Sequence, residues 1–367
     1  MRAQVNSKTA IRFICIMFQY IVNFFKSPYQ VMRIVGALSF LLCTAQLLAQ
    51  PLAEGTVLPT RQTPVHDPVL IKQGHTYYLF CTGVGIAVWS STDLKNWKKE
   101  KAVFSKPPAW AVAAVSGFDG HIWAPDIRFF NGLYYLYYAV SAFGKNTSCI
   151  GVAVNKTLDP ASADFNWQDG GKLIQSIPGR DLWNAIDPAL IVDAENTPWL
   201  SFGSFWEGIK LVRLNSDLRS LAEPQEWYTI ARRPRDFAIP DSVAGSAAIE
   251  APFLFKKGAY YYLFVSWDYC CRGEKSNYKV VVGRSKTVNG PYMDNAGIML
   301  NNGGGTLVAE GDGKQWFGAG HNAVYTFDGK DYMIYHAYDA ADKGRSKLMI
   351  QALEWNAEGW PVIVKEK

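Results

Sequence analysis

From residue 60 onward, apolar positions come in short runs of alternating Tyr, Val, Ile and Phe, closed off by Gly, Asn, Asp and Pro. A period of two marks strand rather than helix. No amphipathic helical period of any length is expected in this stretch. The runs also repeat. Five units begin with a short polar-plus-proline head and continue as a strand, a Gly or Asn turn and an aromatic strand: HDPVLIKQGHTYYLF from residue 66, WAPDIRFFNGLYYLYYA from 123, IDPALIVDAENTPWLSFG from 186, EAPFLFKKGAYYYLFVS from 250 and HNAVYTFDGKDYMIYHAY from 321. The head prolines are Pro68, Pro125, Pro188 and Pro252, with Ala323 in the fifth place. A third strand is visible in GIAVWSST, CIGVAVNKT, GIKLVRLNS, YKVVVGRSK and KLMIQALEW. Four short antiparallel strands repeated five times in fixed order describe an all-β, five-bladed β-propeller, a single domain over residues 60–367. A β-sandwich or jelly roll has no use for a fivefold head.

The first strand of each propeller blade lines the central channel, so the heads converge on one mouth. Proline is tolerated at a strand's first residue, where no ladder N–H is needed. The residues before it therefore sit near the axis: His66 and Asp67, Trp123 and Ala124, Ile186 and Asp187, Glu250 and Ala251, and in the fifth unit His321 and Asn322. A carboxylate at the mouth of a buried strand costs free energy unless it is paired or used. Three of them beside two histidines point to chemistry. A carboxylate pair cleaves glycosidic bonds, one protonated as acid and one ionised to activate water or attack. A third carboxylate nearby holds the acid protonated by like-charge repulsion.

Charge narrows the substrate. The formal charge of +5 resides in residues 1–50, which carry five basic residues and no acid. The remainder is balanced, so no nucleic acid is expected and a neutral polysaccharide fits. The N-terminus reads as an export signal, residues 1–50, with MRIVGALSFLLCTAQLLAQ from Met32 a compact signal by itself. That apolar run is too short to span a bilayer. A secreted or periplasmic monomer is expected. Cys81, Cys149, Cys270 and Cys271 remain after such a signal; adjacent Cys270 and Cys271 are expected to be a poor mutual pair. Most tryptophans are expected to pack between blades. Trp123, in a head place, is kept as a sugar-stacking candidate, and Asp126, one place past its proline, is expected to be structural.

In order, VHDP, HIWAPDI, NAIDP, GSFWEG, IEAP, CCRGEKSNYKVVVGRSKTVNGPY and GAGHNAV resemble glycoside hydrolase family 43, and within it the arabinan endo-1,5-α-L-arabinosidases. The resemblance runs from about Val65 to the C-terminus. It implies hydrolysis of arabinan with inversion, with Asp67 as general base, Glu250 as general acid and Asp187 orienting that acid and raising its pKa. It implies sugar contacts from Phe143, Asn184, Ala185, Ile186, Ser204, Phe205 and Trp206. It also implies a metal ion, usually calcium, held by His321 with water ligands. Spacing alone would make His321 a hydrogen-bonding or proton-shuttling residue. Two alternatives stand beside internal cleavage: an exo-acting arabinofuranosidase or β-xylosidase on the same scaffold, with the 103–120 insert narrowing the groove, and a non-catalytic glycan-binding propeller.

Overall fold

The computed structural model describes residues 52–364; the expected signal segment, 1–50, lies outside them. Five antiparallel sheets follow one another along the chain and form the blades of a five-bladed propeller. Blade 1 runs Val69–Gln73, Thr76–Cys81, Ala87–Ser91, Asn96–Glu100, with Val57–Pro59 added at its outer edge. Blade 2 runs His121–Phe130, Leu133–Val140, Ser148–Asn155, Gln168–Ser176, and blade 3 runs Ala189–Val192, Pro198–Phe202, Ile209–Arg213, Trp227–Ala231. Blade 4 runs Ile249–Lys257, Tyr260–Trp267, Lys279–Ser285, Thr306–Glu310, and blade 5 runs Trp316–Phe327, Lys330–Asp339, Arg345–Trp355, Pro361–Ile363. Among the described residues no helix is long and apolar enough to cross a membrane.

The aromatic second strands explain why blades stack. In Leu133–Val140, alternate residues face opposite ways. Tyr134, Leu136 and Tyr138 join the core shared with blade 1, while Tyr135 and Tyr137 join the core shared with blade 3. Both faces are buried, so the strand reads as a continuous apolar run. Further cores fill the interfaces of blades 3 and 4, 4 and 5, and 5 and 1. The ring closes without a strand exchanged between first and last blades. Leu70, Leu79 and Trp89 pack on Phe327, Ile334 and Leu348, and Leu348 N donates to Thr63 O at 3.0 Å.

A short helix, Ala109–Ala114, is added to the strands; its six residues are too few to show a period. Pro108 stands at its N-cap, and Ala111 anchors it in the core of blades 1 and 2. One expectation is corrected here, at the fifth head. Glu250 lies opposite Ser266 across its ladder, and Gly320 lies opposite His336. His321 is therefore the counterpart of Ala251, and Asn322, not Ala323, takes the proline's place. Without a proline as marker, the sequence misplaces this head by one residue.

The corrected alignment exposes a fivefold backbone feature. Asp67, Ala124, Asp187, Ala251 and His321 occupy one slot, and all have positive φ, at 54, 42, 58, 54 and 52°. For a residue with a Cβ, this left-handed conformation costs about 1–2 kcal/mol. Replacing Ala124, which has no polar group to lose, by Gly removes that cost. Ala124→Gly is expected to raise the unfolding free energy by up to about 1 kcal/mol after the greater chain entropy of Gly is counted. A loss of that size in chemical denaturation would contradict a left-handed head.

Candidate active site

The head slot is fixed from the neighbouring blade. Ala124 N donates to Thr82 Oγ1 at 2.8 Å, His321 N to Ser266 Oγ at 2.9 Å, and Asp67 N to His336 Nδ1 at 3.2 Å. Thr82, Ser266 and His336 each stand fifteen residues after the head of their own blade. In blade 3 the ladder places Gly203 near the corresponding position, with no side chain to offer. There Ala251 N donates instead to Asp187 Oδ2, at 3.0 Å. One head carboxylate thus latches the next blade and stands beside Glu250, the residue preceding Ala251.

The three carboxylates sit in different surroundings. Asp67 is 6% exposed. Its Oδ1 lies 2.7 Å from His66 Nδ1 and 3.0 Å from His321 Nδ1, and its Oδ2 accepts from Thr82 Oγ1 at 2.5 Å. Burial by itself would raise its pKa, but the charges and hydrogen bonds of His321 and His66 prevail and hold it well below the usual carboxylate range. Asp187 is equally buried but lacks such partners. Burial first, then the charges of Glu250 and Asp67, push it up to about 8 against the opposing pull of His321. Glu250 is half-buried; its Oε2 accepts from Ser204 Oγ at 2.7 Å and its Oε1 from Tyr278 Oη at 2.9 Å. Burial, followed by the carboxylates around it, keeps the Tyr278 hydroxyl protonated and so a donor. Tyr278 passes so close to Gly320 that a Cβ there would come within 2.0 Å of its ring.

His321 interacts electrostatically with all three acids. Burial lowers its pKa, but Asp67 and then Asp187 and Glu250 outweigh that and push it up to about 9. His336 is fully buried and held neutral, by burial and then by the neighbouring His66. Its free Nδ1 is thereby available to accept Asp67 N.

The expected sugar contacts scatter more widely. Phe143 is 81% exposed. Trp123 is half-buried, with Nε1 donating to His121 Nδ1 at 3.1 Å. Phe205 is half-buried, 6.0 Å from the Tyr269 ring. Ser204 touches Glu250 directly. Asn184 is buried, its Nδ2 donating to Lys145 O at 3.4 Å, and Ile186 is 8% exposed. Ala185 is fully buried, and Trp206, 2% exposed, donates to Asp241 O at 2.8 Å. Asp126 caps Leu190 N at 2.7 Å and joins blades 2 and 3. Two surface hollows of about 660 and 480 Å³, lined by Arg284 and Trp360 and by Thr76 and Lys98 among others, hold none of the three carboxylates.

Calcium takes six to eight oxygens. Asp67 with His66 and His336 can bring ligand atoms within 4.8 Å of one another, a set rich in nitrogen, and His321 Nδ1 faces Asp67. Buried Asn322 has both side-chain polar atoms without a protein partner. These residues do not by themselves fit calcium.

Cys270 and Cys271 correct a second expectation: they are bonded to each other, while Cys81 and Cys149 are free and buried. Cys271 has a φ of 65°, which turns the chain back at this point. Bonds from Tyr269 N to Asn277 Oδ1 at 3.1 Å and from Arg272 N to Ser276 Oγ at 3.0 Å hold the loop around it. Sequence reasoning also passed over Thr82, Tyr278, His336 and Tyr338. A polar residue at a constant offset of fifteen from the head was the available signal for Thr82 and His336.

Fold and site together define a propeller whose channel mouth gathers unequal carboxylates. The chain belongs to the glycosyl hydrolases family 43, whose model matches residues 58–361. It is 57% identical over 303 residues to an extracellular exo-α-(1→5)-L-arabinofuranosidase of Cellvibrio japonicus, covering 83% of this chain and 87% of that protein. It is 41% identical to an extracellular endo-α-(1→5)-L-arabinanase of Bacillus subtilis over 81% of this chain and 87% of that one. The solved structure of a Cellvibrio cellulosa α-L-arabinanase with arabinohexaose matches with a TM-score of 0.81 and 56% identity, over 82% of this chain and 96% of that one.

The site's charges yield a direct check. In ¹⁵N-resolved NMR, His321 is expected to titrate near 9, and His336 to remain neutral where an ordinary imidazole takes up its proton, at about 6.5. Because the His321 pKa is raised on folding, the stability it contributes is complete below about 6.5. It is lost as pH rises through about 9. An unshifted His321 would remove the ion pair with Asp67.

Proposed function

We propose that this chain is an exported inverting hydrolase of α-1,5-linked L-arabinofuranosyl chains, with Asp67 as base, Glu250 as acid and Asp187 as the partner of that acid. The contrast between Asp67, held ionised by two histidines and Thr82, and Asp187, pushed up to about 8, is the observation that carries it. The names of the similar proteins support the substrate, and the two named extracellular support export.

In this mechanism water lies between Asp67 and the anomeric carbon. As the glycosidic bond breaks, the sugar becomes oxocarbenium-like. Water adds from the Asp67 side and loses its proton to that carboxylate. Glu250, oriented by Ser204 and Tyr278, protonates the departing oxygen. The low pKa of Asp67 secures its ionised form at the cost of basicity, and the cationic character of the sugar makes the incoming water more acidic. Asp187, whose charge interacts with that of Glu250, holds a proton until about pH 8. Above that pH Asp187 is ionised as well.

Chain-end cleavage is the mode we favour, because identity to the exo-acting relative is 57% against 41% for the endo-acting one. Internal cleavage, expected from the sequence, is the other outcome of the same experiment. On linear 1,5-α-arabinan, exo action releases one short product while viscosity holds; a fast viscosity fall with a ladder of oligosaccharides means endo action. Turnover of xylo-oligosaccharides alone would overturn the substrate.

Two further outcomes test the chemistry. Glu250→Gln should lower kcat by about 10²–10⁴ while oligosaccharide binding persists, and full activity would remove Glu250 from its role. The wild-type kcat/KM should fall as pH rises through about 8, where Asp187 loses its proton. A profile flat to pH 9 would contradict that.

A further inference from the structure

The Cys270–Cys271 pair stands beside the base. Cys271 N donates to Tyr338 Oη at 2.7 Å. Tyr338 Oη lies 2.8 Å from His66 Nε2, and His66 Nδ1 lies 2.7 Å from Asp67 Oδ1. Cys271 Sγ is itself 3.7 Å from His66 Nε2. One face of His66 is stacked on His336, ring centroids 3.9 Å apart, and His336 accepts Asp67 N. The His66 ring is thus gripped at both nitrogens and on one face.

Burial keeps the proton on the Tyr338 hydroxyl, whose oxygen accepts from Cys271 N and meets His66 Nε2. His66 Nδ1 in turn faces Asp67 Oδ1. The angle of the His66 ring, and the rotamer of the carboxylate, therefore trace back to the place of one backbone N–H.

We propose that the Cys270–Cys271 disulfide is a positioning element for Asp67, acting through Tyr338 and His66, and that its reduction by a thiol slows turnover. The inference rests on Asp67 being the base. In the reduction, the two thiols of a dithiol are oxidised to a cyclic disulfide, the Cys270–Cys271 S–S bond breaks, and each cysteine sulfur gains one electron and one proton. The loop is then released from the ring that the two sulfurs close, and Cys271 N–H is free to leave Tyr338. Cysteine 271 is exposed, so a small thiol reaches it. Cys81 and Cys149 are already free, which leaves this pair as the reductant's target among the described residues.

The test compares kcat and KM on an arabino-oligosaccharide before and after dithiothreitol, with alkylation and mass spectrometry counting the new thiols. Reduction should lower kcat by roughly ten- to a hundredfold, as for a catalytic group misplaced by about 1 Å, with KM unchanged. The double variant Cys270→Ser, Cys271→Ser should show the same loss and no response to reductant. Tyr338→Phe, which removes one oxygen, should show it too, and reductant should add nothing further. Two new thiols with unchanged kcat would overturn the proposal. So would a rise in KM with kcat retained, because the disulfide would then be a surface for substrate. Asp67→Asn separates the layers: if it abolishes turnover while reduction does nothing, only the relay fails, whereas wild-type kcat in Asp67→Asn removes the base itself.

Discussion

The site depends on one backbone conformation repeated five times. Each blade enters the channel through a residue with positive φ, and in none of the five is that residue glycine. Such residues persist only where their surroundings over-determine them. Here a side chain from the preceding blade accepts the N–H of four of the five heads, and one of those latches, from His336 to Asp67, joins last blade to first. The same bonds that close the ring aim the head side chains at its axis. Fold stability and site geometry therefore cannot be altered independently at these positions.

Burial then divides the acids. Every carboxylate in the mouth loses hydration, which alone would protonate it. Asp67 escapes because His321 and His66 supply charge and hydrogen bonds at Oδ1 and Thr82 a further bond at Oδ2. Asp187 has one backbone N–H to accept, from Ala251, and its pKa rises. The difference comes from the histidines: His66 and His321 both meet Asp67 at hydrogen-bond distance, while Asp187 feels His321 through its charge. The unlike ionisation of two aspartates in the same backbone slot is thus set by which histidines each one meets.

Much of this was legible in the sequence, and the exceptions share a cause. Short apolar, aromatic-rich runs bounded by Gly, Asn, Asp and Pro marked the blades, since both faces of their second strands are buried against neighbours. Proline marked four heads and so located Asp67, Asp187 and Glu250. Where proline is absent, at Asn322, the register slipped by one residue and His321 was put in the wrong slot. The latches Thr82, Ser266 and His336 act across blades, and in the sequence only their constant offset of fifteen residues from the heads reports them. The helix Ala109–Ala114 is too short to have a period, and the Cys270–Cys271 bond depends on a left-handed turn that spacing does not reveal.

The left-handed slot also explains which residues could be recruited. Among residues with a side chain, Asp, Asn and His tolerate positive φ best. The head slot holds two Asp, one His and two Ala, the last among the smallest side chains available. Glu is poorly suited to it, and Glu250 stands one residue earlier, before Ala251 rather than in its place. That offset changes how the carboxyl is held. Asp187 bonds the backbone of the next blade and is bound into the scaffold, whereas Glu250 rests on two hydroxyls, from Ser204 and Tyr278, on a longer and half-exposed stem. In the proposed mechanism the glutamate is therefore the group that meets a departing oxygen, and the aspartate the one bound into the scaffold beside it.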